Sequence, residues 1–327
     1  MNGHSSNNAG WLGGAVLLAE VGTIQVEFRY LSEVMHKKAY AEKVNKIFDI
    51  LSNMRSIDGL FPYEININGP TFRNSVLTFG AMADSFYEYL LKCWLQGGKK
   101  ESKYRQMYDK AMDGVHNQLL FTSSPDGLTY IADKSNGNVN HKMDHLACFM
   151  AGSLALGAYT HPDGLHSIKA QRDLKTGKAL AYTCYQMYAR MKTGISPEAV
   201  QFNKNGKDIS PIGNAPFYIL RPETLESFFI LNYLTGDPTY REWGWEVFKS
   251  IEKYCRTDTA YGGIKNVDRD GGAPENRMES FFLAETLKYA YLLQDPDTEV
   301  DILNKHVFNT EAHPTRIFPE LKKAGVI

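Results

Sequence analysis

Five acids recur along this chain in one local setting: a small or apolar residue, then the acid, then an aromatic-rich run with helical spacing. They are Glu20 before VGTIQVEFRYLS, Asp84 before SFYEYLLKCW, Asp144 before HLACFMAGSLALG, Glu223 before TLESFFILNYL and Glu285 before TLKYAYLL, at gaps of 64, 60, 79 and 62 residues. One such acid is ordinarily a helix cap or half of a buried ion pair. Five in register point elsewhere, because carboxylates gathered in one place cost heavily unless a cation or a polar ligand sits among them. The chemistry within reach of such a group is acid–base catalysis on a hydroxyl-rich substrate, metal binding, or both.

The elements that must position these acids follow from the same spacing. Apolar residues recur at intervals of three and four, and strand-like alternation is scarce, so the chain reads as mainly α-helical. A repeat of 60–79 residues is a helical-hairpin period. The runs that follow the acids are apolar nearly all round, as helices walled in by others must be, whereas HKKAYAEKVNKIFDIL carries a charged outer face. Inner and outer helices therefore alternate. Tyr40 and Tyr104 each follow their acid by 20 residues and Tyr240 follows Glu223 by 17, each opening an outer run. Between hairpins lie FPYEININGPTFRN, LTYIADKSNGNVNHK and GGIKNVDRDGGAPEN, too long for simple turns and suited to short β-hairpins. Each leads toward an acid-bearing run, so a ring of such hairpins would gather the acids at one end.

Composition narrows the classes. The 327 residues carry 43% hydrophobic and 22% charged side chains and a net charge of −1, with no basic stripe to follow a phosphate backbone, so nucleic acid is not an expected partner. The apolar stretch Trp11–Ala19 is shorter than the roughly 20 residues of a spanning helix and lacks a basic leader, so no membrane segment is expected. Cys93, Cys148, Cys184 and Cys255 are too widely spaced for a zinc knuckle or a CxxC pair; buried thiols and a disulfide both fit them. No Asn-x-Ser/Thr sequon occurs.

The strings AEVGTIQVEF, GAMADSFYEYLLK, KMDHLACF, ILRPETLESFFIL, MESFFLAETLKY and VFNTEAHP resemble, in order and spacing, glycoside hydrolase family 47, the class I α-1,2-mannosidases, from about Trp11 to Pro314. The resemblance implies an all-α fold, an (αα)7 toroid of helical hairpins with β-hairpin loops at one end. This chain, residues 1–327, holds about five of the hairpins and is expected to be a single, partial catalytic domain. The family's N-terminal part, with a FEVTIR-like segment whose Glu is a candidate general acid, is expected to be missing, and GHSSNNAG matches a loop between hairpins. An unclosed ring would leave apolar surface of the inner helices uncovered.

The roles implied by the resemblance are catalytic for Asp84, Glu198 and Glu223, with Glu223 in RPET as the base that activates water, Asp84 as acid or acid-assisting, and Glu198 in GISPE as a further active-site acid. Substrate binding falls to Glu20, His145, Arg221, Phe281, Glu285 and Glu311, Phe281 by stacking on the sugar. Thr310 in NTEAHP would ligate Ca2+ through its hydroxyl and carbonyl oxygens, with Glu20, Glu223, Glu285 and Glu311 holding the ion's waters. The family disulfide corresponds to Cys148–Cys184, leaving Cys93 and Cys255 unassigned. Met82 stands where the endoplasmic-reticulum type has Arg, which argues for broader acceptance of glycan branches. The implied reaction is hydrolysis, with inversion, of terminal α-1,2-linked mannose on high-mannose N-glycans of glycoproteins in the secretory pathway. The competing expectations are an inactive mannose-binding fragment and a helical scaffold without a sugar site.

Overall fold

The computed structural model describes residues 13–270 and 272–327. The GHSSNNAG stretch and Trp11 lie outside the described residues. The fold is all-α with few, short strands, as the three- and four-residue spacing requires. The described residues divide into two compact units, those within 1–118, 134–139 and 316–327 forming the first and those within 119–133 and 140–315 the second.

In the first unit, β1 (Ala15–Leu17) leads into α1 (Leu18–Gly22), α2 (Gln25–Val34) and α3 (Ala39–Asn53); β2 (Glu64–Asn66), α4 (Asp84–Gln96) and α5 (Ser102–Gly114) follow. β1 and β2 pair antiparallel, with Val16 opposite Ile65. Helix α4 packs on α1, α2 and α5, and every residue from Phe86 to Gln96 is buried. Helix α3 buries only Val44, Phe48 and Leu51, the stripe of an outer helix. Phe48 meets Phe86 edge-on at 5.7 Å. The charges that α4 carries into the core are paired, Lys92 with Glu88 one turn earlier, as burial demands.

The expected single run VGTIQVEFRYLS is two helices. The break falls at Thr23-Ile24, two β-branched residues that lose rotamer freedom in a helix. The Gln25 side chain supplies the hydrogen bonds that the backbone gives up, accepting from Ile24 N at 3.1 Å and donating to Val21 O at 2.8 Å.

In the second unit β3 (Leu120–Thr122) pairs with β4 (Thr129–Ile131), while the β-hairpin of β5 (Asp133–Ser135) and β6 (Asn138–Asn140) belongs to the first unit from residue 134 to 139. β7 (Lys142–Asp144) precedes α6 (Phe149–Tyr159) and α7 (Ile168–Ala189). β8 (Ala199–Lys204) and β9 (Lys207–Pro211) complete a three-stranded antiparallel sheet with β7. Then come α8 (Glu223–Thr235), α9 (Thr239–Cys255), α10 (Lys288–Gln294), and the paired β10 (His306–Phe308) and β11 (Pro314–Arg316).

Helix α6 is buried from Phe149 to Ala158 between α7 and α8. Glycines allow that approach: a Cβ on Gly152 would lie 2.9 Å from Ile230 Cδ1, and one on Gly177 2.7 Å from Ala151 O. Ser227 on α8 completes the seam, accepting from Gly152 N at 2.8 Å and donating to Cys148 O at 2.6 Å. The inner helices α4, α6 and α8 are covered. Large exposed apolar side chains sit instead on α2 and just past its end (Phe28, Leu31, Met35), on α3 (Ile50), on α7 (Ile168, Tyr182), on α9 (Trp245), at Leu283 and on α10 (Tyr291).

The acids do not all occupy the same place in the following element. Asp84 and Glu223 open α4 and α8, Glu20 is third in α1, Glu285 lies in a π-helical turn Phe282–Leu287, and Asp144 ends β7. The tyrosine register is met: Tyr40, Tyr104 and Tyr240 lie in the first turns of α3, α5 and α9.

Cys148, in the 3₁₀ turn before α6, is bonded to Cys184 on α7 with Cα atoms 5.9 Å apart, while Cys93 and Cys255 are free and buried. The bridge closes a loop of 36 residues, a constraint on the unfolded chain of about 3–4 kcal/mol by loop entropy. Replacing both cysteines by Ala is expected to lower the urea midpoint by a corresponding amount, checked by denaturation of the oxidised parent and the double variant side by side.

Candidate active site

The densest set of expected site residues in the second unit is assembled by a strand end, a helix start and the loop between. The chain leaves β7 at Asp144 and turns at once into a 3₁₀ helix that begins with His145. His145 N donates to Glu198 O at 2.9 Å, and Glu198 N to Phe217 O at 2.8 Å, so the sheet carries its register past the last paired residues to fix both side chains. Leu220, fully buried, takes φ +70° just before α8, a conformation costly for a branched side chain. Its carbonyl is held by Thr286 Oγ1 at 2.6 Å. The strained turn aims Arg221 and Glu223 off the start of α8, where unpaired backbone N–H groups favour an anion.

His145 is 1% exposed and links two layers. Its Nδ1 lies 2.7 Å from Glu223 Oε2, and its Nε2 lies 2.7 Å from Tyr188 Oη and 3.2 Å from Thr224 Oγ1. Arg221 Nε contacts both oxygens of Glu198, at 2.9 and 2.7 Å, and its Nη1 stands 3.9 Å from Glu223 Oε1. Burial pushes the Glu223 carboxyl up, but the hydrogen bond from His145 and the charge of Arg221 outweigh it and hold the group below the ordinary glutamate value. Glu223 is therefore a carboxylate at neutral pH, able to accept a proton. Glu198, gripped on both oxygens by one guanidinium, orients Arg221. Asp144 pairs with Lys142 at 2.9 Å, and that lysine reaches Asp133 at 3.0 Å, which gives this acid a structural task.

Three further expected residues of this unit lie on its last elements. Glu285 is buried in the π-helical turn and Phe281 half-buried at its start, a local widening of the helix often found at functional positions. Lys288, in the next turn, donates to Ala312 O at 2.7 Å and so ties this helix to the NTEAHP loop. Burial pulls the Lys288 ammonium below the ordinary lysine value against the opposing charge of Glu285. Within the loop Asn309 Oδ1 accepts from Glu311 N at 3.1 Å and His313 N at 2.8 Å, and Ala312 takes φ +56°. Thr310 sits half-buried at the tip and Glu311 is exposed. Two neutral oxygens of one threonine suit a hard cation whose remaining positions are filled by water. They do not suit a carboxylate cage, and among the described residues no group of three or more His, Cys, Asp or Glu side chains is gathered to hold a metal.

The first unit places its two expected residues on separate helix starts. Glu20 is exposed and accepts from Leu17 N at 3.3 Å, closing the first turn of α1. Asp84 opens α4, its Oδ1 accepting from Ser85 N at 2.8 Å. Met82 precedes it at φ +80°, with its carbonyl accepting from Ala19 N at 2.9 Å. A non-glycine residue in left-handed conformation thus stands just ahead of the acid at the starts of α4 and α8, Met82 before Asp84 and Leu220 before Glu223.

Sequence reasoning did not single out Tyr188, Thr224 or Tyr218. The signal was their hydroxyls: a buried tyrosine needs a polar partner that phenylalanine does not. Tyr188 and Tyr218 are each 1% exposed, and Tyr218 Oη donates to Arg221 O at 3.1 Å.

Comparison with known proteins adds family evidence. Glycosyl hydrolase family 47 matches residues 1–317. The chain is 44% identical over 318 residues to mannosyl-oligosaccharide 1,2-alpha-mannosidase MNS1 of Arabidopsis thaliana, covering 97% of this chain and 55% of that protein. It is 41% identical over 313 residues to mannosyl-oligosaccharide alpha-1,2-mannosidase IA of Drosophila melanogaster, covering 95% and 46%. It spans about half the length of these curated relatives. Among solved structures, the alpha-1,2-mannosidase from Trichoderma reesei superposes with a TM-score of 0.85 at 30% identity, covering 96% of this chain and 67% of that one.

A carboxyl depressed by folding contributes stability above its unfolded value near ~4.3, and that contribution is lost as pH falls through the lower folded value. Glu223→Gln is expected to be less stable than the parent at pH 7, with the gap narrowing as the pH is lowered below about 4, measured as urea midpoints from pH 7 to 3.

Proposed function

The chain belongs to glycosyl hydrolase family 47, and on that premise we propose that it hydrolyses terminal α-1,2-linked mannose of high-mannose N-glycans with inversion at the anomeric carbon. The observation that carries the proposal is Glu223: an ionised carboxylate at a helix start, hydrogen-bonded to buried His145 and faced by Arg221. An inverting glycosidase needs a base that takes a proton from water as the water attacks the anomeric carbon, and an acid that protonates the leaving oxygen. Glu223 takes the first role. His145 holds the carboxylate in place through Nδ1–H, and Arg221, itself oriented by Glu198, supplies positive charge beside it. The acid role goes to Asp84 through its ADSFYEY motif. Phe281 offers an apolar face for the sugar ring, and Glu20, Glu285 and Glu311 offer acceptors for its hydroxyls or for bound water.

Thr310 is the residue proposed to hold calcium, through its hydroxyl and carbonyl oxygens. Calcium, when bound, supplies a hard Lewis acid that grips sugar hydroxyls. Met82, in place of a long cation, leaves one glycan branch without a fixed partner, and broad branch acceptance is proposed on that ground. The oxidising secretory pathway is the proposed site of action, supported by the Cys148–Cys184 bridge and by relatives named as endoplasmic reticulum mannosidases.

In the test, the 327-residue chain is incubated with α-1,2-mannobiose in an NMR tube and the anomer released is read before mutarotation. β-Mannose is the expected first product, dependent on calcium and abolished by chelation. Glu223→Gln is expected to lower the rate about 10²–10⁴-fold, and Thr310→Ala to raise the calcium concentration required. Release of α-mannose, or a rate indifferent to Glu223→Gln, would reject the proposal.

A further inference from the structure

His145 makes one demand that the catalytic reading does not use. An ionised Glu223 can only accept hydrogen bonds, so the nitrogen 2.7 Å away, Nδ1, carries a proton. In a neutral imidazole the other nitrogen then carries a lone pair and needs a donor. His145 is 1% exposed, so that donor must come from the protein. Two hydroxyls face Nε2: Tyr188 at 2.7 Å and Thr224 at 3.2 Å. Burial, with the charge of Glu223 adding to it, pushes the Tyr188 phenol far above its ordinary value, so it stays neutral and keeps its proton. Thr224 is also in hydrogen-bond reach of Tyr188. With Tyr188 donating to Nε2 and Nδ1 to Glu223 the set is satisfied, the Tyr188 oxygen accepting from Thr224 or from Tyr218, both of which lie in hydrogen-bond reach of it.

We propose that the Tyr188 hydroxyl is a positioning group for the base: by donating to His145 Nε2 it holds the imidazole in the tautomer and orientation that present the Nδ1 proton to Glu223. This rests on Glu223 being the base of the preceding section. The opposite tautomer would set a lone pair against a carboxylate at 2.7 Å, and a ring rotated by half a turn would put carbon there. Packing alone does not explain the residue. The Tyr188 and His145 rings meet edge-on at 5.6 Å, a contact phenylalanine would also make, so the phenol oxygen is present in this core for its hydrogen bonds. The frame is held covalently, since the disulfide joins Cys184, one helical turn before Tyr188, to Cys148, three residues after His145.

The experiment uses the 327-residue chain labelled with 15N-histidine, with long-range 1H–15N spectra read at neutral pH. The parent is expected to show His145 as one tautomer, protonated at Nδ1 and bare at Nε2. In Tyr188→Phe those two shifts are expected to move toward averaged values, and the rate of mannose release to fall about tenfold with KM within about twofold, the scale of one lost hydrogen bond in the transition state. Thr224→Val, which leaves Tyr188 in place, is expected to keep the single tautomer. An unchanged His145 spectrum in Tyr188→Phe overturns the proposal. If that variant fails to fold, 3-fluorotyrosine at position 188 keeps the ring and makes a stronger donor; it is expected to move the Nε2 shift, and an unmoved shift overturns the proposal equally. A His145 that responds in a parent that releases no mannose leaves the positioning standing and rejects the hydrolase reading.

Discussion

The hydrogen bond between His145 Nδ1 and Glu223 is the constraint around which the second unit is arranged. A carboxylate in a nearly dry pocket is tolerated only if its charge is met, and here a buried imidazole and a nearby guanidinium meet it. Each partner needs its own support. His145 is fixed by backbone pairing to Glu198, Arg221 by the Glu198 carboxylate, and Glu223 by the first turn of α8. One loop residue, Glu198, thereby serves the site with its backbone and its side chain at once. Removing any of these supports leaves a buried charge without its complement, a larger loss than the hydrogen bond itself contributes.

The alternation of inner and outer helices was legible in the sequence, because a helix buried on every side cannot carry a solvated stripe. SFYEYLLKCW, FMAGSLALG and TLESFFIL became α4, α6 and α8 with almost no exposed residue, and the segment bearing Val44, Phe48 and Leu51 became the amphipathic α3. The acids at Asp84 and Glu223 were legible for the same reason, since they mark where such a helix begins. Less legible was what each remaining acid does. Asp144 sits in the same pattern as Glu223, yet it ends a strand and is neutralised by Lys142, because the β7–β8 pairing extends up to it. Helical periodicity also cannot distinguish an α turn from the π turn at Glu285, nor foresee that Gln25 would bridge a break at Thr23-Ile24.

The cluster behind Glu223 was hidden for another reason. Tyr188 and Tyr218 are separated in sequence by the whole β8–β9 hairpin, and their hydroxyls meet only after the sheet and α7 have packed. Nothing local marks such residues, whereas RPET and NTEAHP carry their chemistry in consecutive positions. The left-handed Met82 and Leu220 are a middle case. Their side chains give no hint of an unusual backbone, but each lies within three residues of an acid that opens an inner helix, where stored strain is commonly repaid by positioning.

The disulfide has a consequence for how the molecule comes into being. Cys148 and Cys184 both precede Glu223 in the chain by more than a helix's length, and α6 and the Cys184 turn of α7 lie between or at them. A polypeptide is made from its amino end. Both halves of the bridge are therefore made before Arg221 and Glu223, and nothing in the cross-link of the wall that carries His145 waits on the carboxylate that the wall will hold.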